Sequence, residues 1–542
     1  MFLVKNFIKK NKIYFILLFF LVFASYFNSF NNDFVSDDRG IIIHADSWTI
    51  DYLISHPLSL LRSFLYFVTY KTFGLNPFFF RIANLFFHLG SVFLVYILVG
   101  LMTKPKIGIL TASLFAVHPI LIESVVWISG GVYAQYSFFF LIAFLSYFIF
   151  KKTLNKKWLL GSLIFFVFSM LSSEKAIALS PIFLIFEICF GKIKENWKIT
   201  AIFLILSAVF ILFSVSKIED SFTMAGEQSQ SSSLEMENSF VQIPIAITSY
   251  FQLILWPKDL TLYHSEMIFS QQEYLFRLCI FIIFLIGIIY SFLKNKKIFF
   301  WICFFIISLL PALTPFKISW IVAERYVYLG SIGLFVLIAY FFGKLSEIKK
   351  IKLPIYTVFI LIIIALSIRT IVRNIDWQNE DNLWIATGKT SPSSPNNHNN
   401  LGDVYGRHGN LEGATLEFQT AIKLKPNYAD AYHNLANIQM QMEKFDEAII
   451  NYQKAIHFNP NLWQSYKGLA IVYFQKKQFD LAILQLQKAI KINPQSSDLL
   501  TDLAVIYLQT ENKLAAKEAF SKALLLNPNN VRAKTGLNQS AK

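Results

Sequence analysis

Ionisable side chains cost free energy in hydrocarbon, so in an apolar chain their positions are the first place to look for chemistry. Four groups stand at the ends of long apolar runs: Asp37, Asp38 and Arg39; His118 and Glu123; Glu174 and Lys175; and Lys317, Glu324 and Arg325. Carboxylates beside cations suit a transfer in which an acceptor hydroxyl gives its proton to a carboxylate and a phosphate departs against a cation. Asp37, Asp38 and Glu324 are also of the type that ligates Mg²⁺ or Mn²⁺. Each group has a plainer reading. Asp37 and Asp38 could cap a helix or sit in a solvated loop. Glu324 and Arg325 could pair with each other, as could Glu174 and Lys175. His118 precedes Pro119 at a break, and Glu123 near Trp127 could be a boundary anchor.

These residues must be placed by the elements around them. Of 542 residues, 55% are hydrophobic and 15% charged, where a soluble chain carries about 25% charged residues. Apolar runs at 13–27, 77–101, 107–126, 136–150, 158–172, 176–191, 199–216, 274–293, 298–314, 326–343 and 353–372 predict about eleven transmembrane helices. No small-x-small cleavage site follows the first run, which reads as a retained helix. The net charge of +15 gathers in short loops: Lys5 to Lys12, Lys104 to Lys106, Lys151 to Lys157, Lys192 to Lys198, Lys294 to Lys297 and Lys344 to Lys352. With the N-terminus in the cytoplasm, all of them fall on the cytoplasmic side, as the positive-inside bias requires. That placement speaks for membrane lipid and against nucleic acid as the partner of the charge. The candidate groups, and the loop with Asp33, Asp37, Asp38, Asp46 and Asp51, then share the outer face. Segments 58–68 and 240–256 must not cross, or every later loop would flip. They are expected to lie at the interface or half-inserted. The ionisable groups cluster at one end, whereas a lipid-linked sugar transporter should carry them at the midplane. Cys189, Cys279 and Cys303 all sit in apolar runs and form neither a disulfide framework nor a zinc spacing.

The composition changes near residue 375. Beyond it Pro392, Pro426, Pro460, Pro494 and Pro528 recur every 34 residues, the tetratricopeptide (TPR) period. Leu401, Leu435, Leu469 and Leu503 recur in step. So do the small residues Ala414, Ala448, Ala482 and Ala516, and Ala421, Ala455, Ala489 and Ala523. Small residues let paired helices approach, and proline ends each unit. The reading is all-α: a polytopic membrane domain over 1–375 and a TPR solenoid over 376–542. Four repeats span about 394–528 and a capping helix follows. With an odd number of spans the solenoid is extracytoplasmic. Asn400, Asn434 and Asn437 are candidates to bind a protein or peptide along its groove.

Phe34-Val-Ser-Asp37-Asp38 followed by Asp46 resembles the first-loop signature of the transmembrane and tetratricopeptide-repeat-containing O-mannosyltransferases and their prokaryotic relatives. Ala116-Val-His118-Pro119 with Glu123 and Trp127, Ser173-Glu174, Leu255-Trp256-Pro257 with Tyr263, and Ala323-Glu324-Arg325-Tyr326-Val-Tyr328-Leu329 agree with it. The resemblance spans nearly the whole chain, membrane part first and repeats second. It departs at Ser173, where the family often has Lys; here Lys175 follows the glutamate instead. The resemblance implies a GT-C glycosyltransferase fold, a polyprenyl-phosphate-linked sugar as donor, and transfer to an acceptor hydroxyl on the extracytoplasmic face of an inner or endoplasmic-reticulum membrane. It makes the acidic pair catalytic, with Asp38 the expected base and Asp37 beside it. The phosphate would fall to Arg325, with Arg39 or Lys317, and His118, Glu123, Glu174, Lys175 and Glu324 would line the site. The competing expectation is a non-catalytic membrane-anchored TPR scaffold for envelope proteins.

Overall fold

The computed structural model describes residues 2–43, 59–229, 239–267, 269–313 and 322–540. Every regular element among them is a helix, and the chain divides into two compact units, Met1–Thr390 and Ser391–Lys542. The helix Glu380–Thr390 falls in the first unit.

The first unit is built from apolar helices. Of the eleven segments expected to cross, six are helices long and apolar enough to do so: Lys12–Ser29, Pro77–Met102, Ser129–Thr153, Ile193–Leu212, Gln271–Lys294 and Lys349–Asp376. The 107–126 segment is a broken span. Pro105–Val117 and Pro119–Val125 meet at 58° around His118 and Pro119, because a proline cannot donate to the helix it would continue. The remaining four appear as shorter helices of 10–17 residues, Lys156–Ser172, Pro181–Phe190, Lys296–Leu309 and Ser331–Leu345. Helix starts follow local chemistry. Asn76 caps Pro77–Met102 with proline at its first turn, and Ser270 with Glu273 forms a capping box on Gln271–Lys294. The two segments expected not to cross are the helices Leu60–Phe73 and Ser239–Leu255, the latter with Pro244 inside it.

The first and last of these helices are zipped by polar side chains. Ser25 and Ser367 hydroxyls meet at 2.7 Å, Asn28 donates to the Ile371 carbonyl at 2.8 Å, and Asn32 donates to the Asn374 carbonyl at 3.0 Å. Asn374 also donates to the Ser25 carbonyl and to Asn28 Oδ1, at 2.9 and 2.7 Å, and just past both helices the Asp33 N–H donates to the Gln378 carbonyl at 2.8 Å, so the two helices run toward the same end and are parallel. The loop after the first helix and the chain after the last one therefore emerge at the same end.

The second unit pairs helices in 34-residue steps, from Pro395–Arg407 with Leu411–Leu424 to Ser497–Gln509 with Lys513–Leu526, and ends with Val531–Ser540. Ala414, Ala448, Ala482 and Ala516 are wholly buried, where helix meets helix within each repeat. The turn between paired helices needs one left-handed residue. Gly409 serves in the first repeat, and Glu443, Lys477 and Glu511, with φ of 58°, 59° and 60°, serve in the others.

Candidate active site

The broken span organises the polar end of the membrane unit. The stretch 122–129, from the span's distal helix to the start of Ser129–Thr153, has three residues that reach two other parts of the chain. Ser129 grips the first loop: its backbone N–H at 2.8 Å and its hydroxyl at 2.6 Å both donate to Asp38 Oδ1. The other carboxylate oxygen accepts from the Val35 N–H at 3.2 Å. Asp38 has no exposed surface, and Asp37 is exposed. Burial pushes the Asp38 carboxyl up to about 6; the hydrogen bonds from Ser129 and Val35 and the charge of Arg81 keep it from rising further.

Glu123 and Trp127, on the same segment, hold Arg325. The Arg325 backbone N–H donates to Glu123 Oε2 at 3.0 Å, and its guanidinium reaches the same oxygen at 3.2 Å. That guanidinium lies 5.5 Å from the Trp127 ring and 5.1 Å from the Tyr326 ring. The row continues through Tyr326 to Tyr133, 6.1 Å apart, and to Lys175, whose ammonium stands 5.4 Å from Tyr133 and 2.7 Å from Glu174. Tyr263 belongs to the same neighbourhood. Burial first, and then the negative charge of Asp37, push its phenol up to about 12.

Glu324 points the other way. Arg373 holds both its oxygens at 2.8 and 3.0 Å, the Thr261 N–H donates at 2.5 Å, and His264 stands at 3.7 Å. This is a closed, buried clasp between the loop before Ser331–Leu345 and the last helix. His118 is also engaged internally. Its Nε2 donates to the Ile254 carbonyl at 2.9 Å, and its Nδ1 accepts from the Ile120 N–H at 3.3 Å. Lys317 and Asp46 lie outside the described residues, as does the side chain of Arg39. Asp38 and Glu324, two of the expected metal ligands, belong to separate networks. Among the described residues no three His, Cys, Asp or Glu side chains gather to hold an ion.

The structure adds residues that sequence reasoning passed over. Arg81 is buried in an apolar helix and donates to the carbonyls of Asn32, Asp33 and Val126 at 2.7, 3.0 and 3.0 Å. It ties the acidic loop to the Ile122–Ser129 segment. Asn84, one turn on, donates to the carbonyls of Trp127 and Ile128 at 3.2 Å each. A signal for Arg81 and Arg373 was present, since a lone cation inside an apolar run is a site candidate by default. Ser129 carried none.

In the solenoid, Asn434 donates to Asn399 at 3.0 Å. Asn437 accepts from the Tyr452 hydroxyl at 2.5 Å and meets His433 at 3.1 Å. Asn400 is half-buried. Two of the three expected groove residues therefore also hold helix to helix.

Two compact all-helical units, one of apolar helices with a polar network at one end and one a repeat solenoid, define a multi-pass membrane protein carrying TPR repeats. Family models for the tetratricopeptide repeat match residues 429–462 and 473–539, and one for the TPR repeat matches 402–443. Protein O-mannosyl-transferase TMTC4 of Mus musculus is 24% identical over 479 residues, covering 73% of this chain and 64% of the relative. Protein O-mannosyl-transferase Tmtc2 of Drosophila melanogaster is 36% identical over 116 residues, covering 21% of this chain and 12% of the relative. The chain thus spans less than two thirds of these relatives' length. Among solved structures, the crystal structure of MamA protein is 23% identical, with a TM-score of 0.25, over 28% of this chain and 82% of that one. YrrB, titled a TPR protein with an unusual peptide-binding site, is 19% identical with a TM-score of 0.26, over 36% of this chain and 97% of that one. The repeats and the long match to TMTC4 together support a TMTC-like, TPR-containing family.

Proposed function

We propose that the membrane unit is a glycosyltransferase that moves a sugar from a polyprenyl-phosphate donor to an acceptor hydroxyl on the extracytoplasmic face. The solenoid binds the acceptor protein or a protein partner. One observation carries the reading. The Ile122–Ser129 segment presents a buried carboxylate through Ser129 and a cation through Glu123 and Trp127, so a base and a phosphate partner are held from one short stretch of chain. The relatives TMTC4 and Tmtc2, both named protein O-mannosyl-transferases, favour the same chemistry.

In this mechanism the acceptor oxygen forms a bond to the anomeric carbon as the bond from that carbon to the phosphate oxygen breaks. Asp38 takes the acceptor's proton. The polyprenyl phosphate leaves with its electron pair against Arg325. Asp37, exposed beside Asp38, supports it. Ser129 and Arg81 hold the carboxylate in place, and the Glu324–Arg373 clasp fixes the backbone that carries Arg325.

The test is a transfer assay with labelled prenyl-phosphate sugars on purified protein. Removing a positioned base costs a factor on the order of 10²–10⁴ in rate. Asp38→Asn should bind donor yet transfer at that lower rate, and Arg325→Ala should weaken donor binding. An Asp38→Asn variant as fast as wild type would remove Asp38 as base.

A further inference from the structure

Three buried polar atoms in the group linked through Arg325 and the Trp127 ring have no hydrogen-bond partner among the described residues: Glu123 Oε1, Trp127 Nε1 and Trp377 Nε1. The three side chains are 0%, 7% and 1% exposed. They belong to one group. The Trp127 and Trp377 rings lie 5.8 Å apart at 33°, and Arg325 bridges Trp127 to the Glu123 carboxylate. A buried polar group left unpaired is destabilising, so three in one cluster call for a partner of defined chemistry. The set offers one carboxylate acceptor, two N–H donors and two flat apolar faces.

Of the three parts of a lipid-linked sugar, only one satisfies all of these. A phosphate is repelled by the free oxygen of Glu123. A prenyl chain leaves all three atoms unpaired. A sugar hydroxyl donates to a carboxylate and accepts from an indole N–H, and the C–H face of the ring lies on an aromatic plane. Glu123 and Trp127 stand on the same short stretch as Ser129, which holds Asp38, so a sugar there is bound by the stretch that carries the proposed base while its phosphate meets Arg325. Resting on the glycosyltransferase reading, we propose that Glu123, Trp127 and Trp377 form the sugar subsite: Glu123 Oε1 accepts from one hydroxyl, and each indole N–H donates to another.

The experiment compares equilibrium binding of farnesyl phosphate with that of mannosyl farnesyl phosphate to the full chain in detergent. Wild type should bind the sugar-bearing lipid more tightly. Trp127→Phe and Trp377→Phe keep a ring and lose the N–H. Each should weaken the sugar-bearing lipid about 3- to 10-fold. Trp377→Phe should also leave the bare lipid unchanged, which reports an intact fold, while Trp127→Phe, whose ring also holds Arg325, should cost the sugar-bearing lipid more than the bare one. In wild type, methyl mannoside should compete with the sugar-bearing lipid and not with the bare one, a measurement that needs no variant. Equal binding of the two lipids by wild type, or variants that keep the full preference, would overturn the subsite while leaving transfer by Asp38 and Arg325 standing. Wild type that binds neither lipid and transfers nothing would instead remove the glycosyltransferase reading, and the subsite with it.

Discussion

Burial makes the Asp38 carboxyl lose its proton late even though both its oxygens accept hydrogen bonds, and this sets how Asp38 responds to pH. The base must be ionised to work. Transfer should therefore climb as pH rises through about 6 and level off above it; a rate that does not change across that value would contradict the assignment. Stability moves the opposite way. The folded protein holds this proton more tightly than the unfolded chain, so the contribution of the protonated form is complete below the ordinary carboxyl value. It is then lost as pH rises through the folded one. Arg373 gives a contrasting case. It is spent on Glu324 and the Leu260 carbonyl, at 2.8 and 2.9 Å. Arg373→Met would leave Glu324 buried without its cation, at a cost of about 3–5 kcal/mol. A thermal melt should show that loss, while donor affinity in the surviving folded protein should fall less than in Arg325→Ala, since Arg373 acts only through the clasp beside Arg325. A variant that melts like wild type but no longer binds donor would place Arg373 on the substrate instead.

The repeat turns carry a correctable cost at the level of the element. Lys477 sits at φ of 59° between Trp463–Gln475 and Phe479–Ile492, where the equivalent residue of the first repeat is Gly409. A side chain in this conformation costs roughly 1–2 kcal/mol, part of which glycine returns through its freer unfolded chain. Lys477→Gly should raise the stability of the chain's repeat unit by about 0.5–1 kcal/mol, read from the urea midpoint; an unchanged or lower midpoint would show that the strain is not felt. The helices themselves were legible because periodicity is local. Proline every 34 residues and a small residue at each helix crossing can be found without knowing any distant partner. The acidic pair, Glu123 and Arg325 were legible for a related reason, as charges at the ends of apolar runs. What could not be read was pairing. Glu324 looked like a companion of Arg325 one residue away, yet Arg373, 49 residues on, holds it, and Glu123, 202 residues back, holds Arg325. The roles of Ser129 and Arg81 likewise exist only once the broken span folds back on the first loop.

For the whole molecule, the direction of two helices predicts which face of the membrane carries the repeats. The first helix runs outward if the lysines at its start stay in the cytoplasm. The last helix is parallel to it, since Ser25, Asn28 and Asn32 pair in rising order with Ser367, Ile371 and Asn374. A chain whose first and last spans run the same way has crossed an odd number of times. The solenoid should then leave the membrane on the face that carries Asp38. The ion pairs Lys151–Glu187 and Lys104–Glu347 stand at the basic loops, which by the same count belong to the opposite face. A protease added to sealed, right-side-out spheroplasts, or to opened but not to intact microsomes, should remove the chain beyond about Thr390 and spare an epitope placed at the N-terminus. The reverse pattern, with repeats protected and the N-terminal epitope lost, would turn the whole topology over and put Asp38 in the cytoplasm. Loss of both from a sealed preparation would mean an even number of crossings, which the parallel first and last helices do not allow.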